Sequence, residues 1–160
     1  MRVRSSTWLL CLLASATGSG VSASAMDRLE ANVSTCSLIR ENQTFDCQRL
    51  MVHQSDDHTV RIRLLGRDQA NGDTIRLTMV SRNPDTTAAL DCNRTACRLQ
   101  SSPWSGQVQS GSWIRFNARG LPSTAPKAEL MTGECTLSRK EVICDSQTNK
   151  GAEWRAKARL

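Results

Sequence analysis

Six cysteines in three close pairs constrain this chain more than any other feature. They are Cys36 and Cys47, Cys92 and Cys97, and Cys135 and Cys144, with intervening gaps of 10, 4 and 8 residues. All three gaps are even. On a hairpin with a two-residue turn, residues separated by an even gap face each other across the strands. With Glu41-Asn42, Arg94-Thr95 and Arg139-Lys140 as the turns, each pair lies cross-strand, near the roughly 5 Å Cα separation that a disulfide accepts. The spacing therefore predicts Cys36–Cys47, Cys92–Cys97 and Cys135–Cys144. It also sets Leu38 opposite Phe45 and Leu137 opposite Val142.

Disulfides belong to oxidising compartments, and the first 25 residues read as the matching export signal. Arg2 and Arg4 give a positive start, Trp8 to Ala16 form a short apolar run, and Ala23-Ser24-Ala25 is a small-x-small cleavage pattern. The run is too short and too broken to cross a bilayer, and no other stretch is a candidate span. The seventh cysteine, Cys11, lies inside it and is expected to leave with it. The expected mature chain, 26–160, has the length of one domain.

No sustained helical period follows the signal. Short runs of alternating polarity separated by turn signals predict an all-β domain, a small antiparallel barrel or sandwich of about seven to nine strands. It is built of about three Cys-hairpin units. Each unit has two cysteines, a polar stretch and then a strand with alternating arginine: Val60–Leu64, Trp113–Phe116 and Trp154–Ala158. Asn71-Gly72 signals a fourth hairpin with a type I′ turn. That register sets Leu64 opposite Met79, Gly66 opposite Leu77, Arg67 opposite Arg76 and Arg61 opposite Arg82. Asp27 to Val33 reads as a short helix or a lead-in strand, and Lys127 to Thr132 as a further strand. Ser81 to Thr87 and Ser101 to Gly106 read as loops, and Leu121 to Pro126 as a connection.

Charge supplies the main functional lead. Without Arg2 and Arg4 the chain has 19 basic and 15 acidic side chains, a net +4. Residues 26–91 carry 8 basic and 10 acidic groups, and residues 92–160 carry 11 and 5. Strand alternation predicts a basic sheet face. Arg61, Arg63, Arg67, Arg76 and Arg82 share one side of their hairpin. Arg115 and Arg119 alternate with Ile114, Phe116 and Ala118, and Arg155, Lys157 and Arg159 with Trp154, Ala156, Ala158 and Leu160. Like charges directly opposite each other destabilise a sheet unless an acid or a bound anion lies between them. An anionic polysaccharide, a lipopolysaccharide or another polyanion such as nucleic acid is the expected partner. Trp104, in Ser-Pro-Trp-Ser-Gly, either packs into the core or is a candidate contact at a loop tip.

Other chemistry is thinner. His53 and His58 flank Asp56 and Asp57, residue types that ligate transition metals, but the chain has no third His and the segment reads as a polar turn. Asp68-Gln-Ala-Asn71-Gly72-Asp73 lacks the alternating acids of a calcium loop. There is no Gly-x-Ser-x-Gly elbow and no phosphate-cradling glycine loop, so no cofactor is implied. Asn32, Asn42 and Asn93 head Asn-x-Ser/Thr sequences that accept glycans in hosts that make them. The resulting expectation is an exported, non-enzymatic binding module. The alternatives are a structural or assembly component of an envelope or extracellular matrix and, more distantly, a small secreted hydrolase.

Overall fold

The structure is a computed structural model and describes residues 28–160 apart from 57, 86, 87 and 94. The expected signal, 1–25, lies outside the described residues. Alternation at a period of two drives nearly every element. The eleven strands are β1 (Arg28–Asn32), β2 (Thr35–Arg40), β3 (Gln43–Gln54), β4 (Thr59–Arg67), β5 (Thr74–Arg82), β6 (Leu90–Cys92), β7 (Cys97–Leu99), β8 (Trp104–Phe116), β9 (Ala128–Leu137), β10 (Glu141–Thr148) and β11 (Glu153–Arg159). No helix occurs among the described residues: Arg28–Asn32 of the expected helix or lead-in is itself strand β1, and Asp27 lies outside the described residues.

Eight strands close into an up-and-down antiparallel barrel, ordered β2-β3-β4-β5-β8-β9-β10-β11 with β11 returning to β2. The barrel alternative is thus the one adopted. Strand β1 lies on the same edge of β3 as β2, further along it: β2 meets residues 43–46 and β1 meets 49–53. Strands β6 and β7 form a separate hairpin in the β5–β8 connection.

The interior is filled rather than hollow. Leu38, Leu50, Ile62, Leu64, Ile75, Leu77, Met79, Leu137, Val142 and Trp154 point inward and are almost wholly buried. Ala156 and Ala158 leave room beside them. Two bulges change which residues face inward. One, between Cys47 and Arg49, lets both Cys47 and Leu50 face inward. The other, in β8 between Val108 and Ser110, reverses the facing of everything after it. Beyond it Gly111, Trp113 and Arg115 pair with Met79, Leu77 and Ile75 of the inner face, whereas Ile114 pairs with outward Arg76. The expected alternation of Ile114 inward with Arg115 outward is therefore inverted.

All three disulfides form as the spacing predicts, with Cα separations of 4.9 Å for Cys36–Cys47, 4.0 Å for Cys92–Cys97 and 4.1 Å for Cys135–Cys144. Leu38 pairs with Phe45 and Leu137 with Val142. The fourth hairpin is slipped by two residues: Leu64 pairs with Leu77 and Gly66 with Ile75. An even slip preserves the faces, so the apolar and arginine sides hold, but Arg67 pairs with Thr74 and Arg61 with Val80, and the expected Arg67–Arg76 and Arg61–Arg82 pairs do not form. The cause is the turn. Asp68 N–H donates to the Asp73 carbonyl and Gly72 N–H to that of Asp68, closing a longer loop. Gly72 takes positive φ, 76°, but Asn71 does not, so the type I′ requirement for two such residues is unmet. The two predicted loops 81–87 and 101–106 are shorter than expected, because β5 runs to Arg82 and β8 begins at Trp104.

The Cys92–Cys97 hairpin is not a stave of the barrel. Ala89, Leu90 and Leu99 join the core, and Leu90 N–H donates to the Gln54 side-chain oxygen at the end of β3. The hairpin thus closes the barrel end where β3 finishes and β8 starts. The chain-entropy gain is about 2–3 kcal/mol for each of the three short loops, so burial separates them. Cys135 and Cys144 are within the core, whereas Cys92 and Cys97 only pack against it. Replacing Cys135 and Cys144 together by Ser should cost about 4 kcal/mol in urea unfolding, against about 2 kcal/mol for the Cys92/Cys97 pair. Equal losses would contradict this difference in burial.

Candidate functional site

Two surfaces concentrate arginine. The first lies on the outer wall of β1, β3, β4 and β5. Residues 61, 63, 65 and 67 alternate outward along β4 because 60, 62, 64 and 66 fill the core. Register brings His53 beside Arg61, Met51 beside Arg63 and Arg49 beside Leu65, with Arg28 opposite His53. Arg76 continues the Arg49–Leu65 row on β5. From Arg61 to Arg67 the row runs about 20 Å at the usual rise per residue. Hollows mark both ends of this strip: one is lined by Arg28, Met51, His53, Arg61 and Arg63, the other by Asn32, Gln48, Arg49, Leu65, Gly66, Arg67 and Thr74.

The strip is short of acid. Glu30 lies 2.7 Å from Arg28 and 3.4 Å from Arg49. Among the described residues no carboxylate is in ion-pair reach of Arg61, Arg63 or Arg76. Arg63 and Arg76 each have a buried Nε with no hydrogen-bond partner. Arg76 rests its guanidinium 4.9 Å from the centre of the Phe116 ring. Burial, and then the positive charges of Arg76, Arg61 and Arg28, hold the Arg63 guanidinium below its ordinary pKa. In the folded protein the cationic form of Arg63 is therefore disfavoured relative to water, and a bound anion would reverse that.

The other arginines of the predicted face lie elsewhere. Arg67 registers opposite Asp46. Arg82 is exposed at the far end of β5. Arg155, Lys157 and Arg159 are outward on β11, separated from β4 by β2 and β3. Arg155 is 3.4 Å from Asp145 and 3.1 Å from Glu153, and Lys157 is 3.9 Å from Glu141. Arg119 sits in the turn after β8, where Asn117 Oδ1 accepts its N–H. Trp104 is 4% exposed and belongs to the core. Its indole lies where a side chain at Gly106 would be, 2.3 Å from an ideal Cβ. It is not a loop-tip contact. His53 joins the strip, whereas His58 lies in the β3–β4 turn, its N–H donating to Asp56 Oδ1 at 2.8 Å. That bond is the main reason the Asp56 carboxyl titrates below its usual value. Among the described residues no three metal-ligating side chains converge.

The second surface is the open end of the barrel. Here Arg40 closes β2, and Arg115, turned inward by the β8 bulge, stands one residue before the end of β8. They line a cavity of about 400 Å³ with Glu41, Asn42, Gln43, Phe45 and Trp113. The Arg40 guanidinium lies 5.6 Å from the Trp113 ring centre and 5.2 Å from that of Trp154. Arg115 lies over Phe45 at 5.7 Å and is paired with Asp68 at 2.6 Å. The lining holds one carboxylate, Glu41, and no Ser, Cys or His. Reading the sequence for charge missed Arg28, Arg40 and Arg49. Arg40 ends the β2 alternation Cys36, Leu38, Arg40, and that inward parity was the available signal.

Three disulfides are present, and among the described residues no helix is long and apolar enough to cross a membrane. Compared with protein-family models, curated proteins and solved structures, the chain has no match.

Proposed function

We propose that this protein is an exported, non-enzymatic binding module that takes an anionic polymer on the outer strip of β1, β3, β4 and β5. The observation that carries the reading is the contrast between two sets of cations on one barrel. Arg155 and Lys157 have carboxylates beside them, while Arg61, Arg63 and Arg76 crowd one another without any. Crowding of like charge costs stability unless a bound anion offsets it. Met51 and Leu65 between the arginines suit a polymer with apolar as well as charged groups. The assembly reading depends on free sheet edges, and closure leaves these, among the described strands, to β1 and the β6–β7 hairpin.

Retention of the oxidised protein on sulfated or phosphorylated beads tests the proposal. Retention should fall steeply as salt rises, because counterions released on binding are recaptured. Failure to bind such a matrix at low ionic strength would remove it.

A further inference from the structure

We infer that the open mouth of the barrel is a second binding site, for a single hydroxylated carboxylate, of which a hexuronic acid is the simplest form. It shares no residue with the strip and does not rest on the polymer reading. Arg40 is the starting point. Its Nε is buried with no acceptor, and among the described residues no carboxylate is in ion-pair reach of its guanidinium. Two indoles hold the group from one side. A planar guanidinium so held offers its remaining N–H edge to a carboxylate in two parallel bonds.

The surroundings select among anions. Asp68 already neutralises Arg115, so the mouth presents one unmatched cation rather than an extended positive field. That favours one carboxylate over a polyanion. Asn42 and Gln43 bring amide donors and acceptors, and Glu41 brings acceptors, which suit hydroxyl groups that both give and receive hydrogen bonds. Phe45 and Trp113 supply the apolar walls against which the C–H face of a sugar ring packs. The volume, about 400 Å³, fits one such ring with water. Glu41 also holds φ at 55°, the sole positive value at a non-glycine among the described residues. Its N–H donates to the Glu153 carbonyl at 2.7 Å, fixing the hairpin tip across the cavity rim. A positive φ at the first central residue is what a two-residue hairpin turn requires, and Glu41-Asn42 is such a turn between Arg40 and Gln43.

The test is a titration of the isotope-labelled, oxidised protein with glucuronate, glucose and acetate, reading the Trp113 indole N–H and the Arg40 side-chain N–H by NMR. Glucuronate should give saturable shifts at roughly millimolar concentration, with glucose and acetate each about tenfold weaker. Arg40→Gln should weaken glucuronate about tenfold and Gln43→Ala about threefold, while Arg61→Gln on the strip leaves it unchanged. Gln43→Ala, at the exposed rim, keeps the test valid if Arg40→Gln does not fold. Absence of saturation at roughly 50 mM glucuronate, equal binding of glucose, or undiminished binding by Gln43→Ala would overturn the proposal.

Discussion

Gly133→Ala should cost about 4 kcal/mol or prevent folding, the largest loss expected from a single methyl group in this chain. Gly133 lies on β9 opposite Ser146 of β10, two residues before Cys135. Its φ is 147°, and an ideal Cβ there would lie 2.2 Å from the Asp145 carbonyl oxygen and 2.5 Å from the Ser146 Cα. Those atoms are backbone of the neighbouring stave, so no rotamer relieves the contact. The β9–β10 register must open, and with it the wall that encloses the buried Cys135–Cys144 disulfide. Gly72→Ala is the matched control. It has positive φ, 76°, but nothing within 4 Å of the added methyl. Only the left-handed penalty of about 1–2 kcal/mol applies there. Urea midpoints of the two variants measure the difference. A Gly133→Ala protein no less stable than Gly72→Ala would refute the close approach of β9 to β10.

Arg61→Glu combined with Arg63→Glu should weaken polyanion retention roughly a hundredfold at low salt, since each reversal removes an attraction and adds a repulsion. The slope of log affinity against log salt should become shallower by about 2, one for each lost contact. Stability should move the other way, unchanged or raised by up to about 1 kcal/mol, because new carboxylates would stand beside Arg28 and Arg76. The same double reversal at Arg155 and Lys157 should leave retention near wild type, because those cations already have carboxylates beside them. It should lower stability slightly by breaking surface pairs worth about 0.2–1 kcal/mol each. Loss of retention from β11 reversal, or none from β4 reversal, would place binding elsewhere.

Net charge by sequence half does not map onto the walls of the barrel. Residues 92–160 hold the excess of cations, yet Arg61, Arg63 and Arg76, which have no carboxylate in ion-pair reach among the described residues, lie in the acidic half. Acids of the first half sit largely in turns, such as Asp56, Asp68, Asp73 and Asp85, away from the outer wall of β4. Summing charge along a chain ignores that turns and walls face different places. The internal resemblance among Cys units was equally partial. The first and third pairs staple barrel staves, while the second closes a hairpin that caps the barrel end.

What the sequence determined by itself was local. Even cysteine gaps, turn residues and a period of two specify the disulfides, the hairpins around them and the outward facing of Arg61, Arg63 and Arg76. These depend only on neighbours a few residues away. Tertiary structure decided the rest. Barrel closure separated β11 from β4, so arginines of matching parity ended on different sides. The β8 bulge turned Arg115 inward to Asp68, and a four-residue loop in place of Asn71-Gly72 alone moved the fourth register by two. Bulges and closure answer to the packing of a shared core, with Leu77, Met79 and Trp154 in it, and no single segment of the chain contains that requirement.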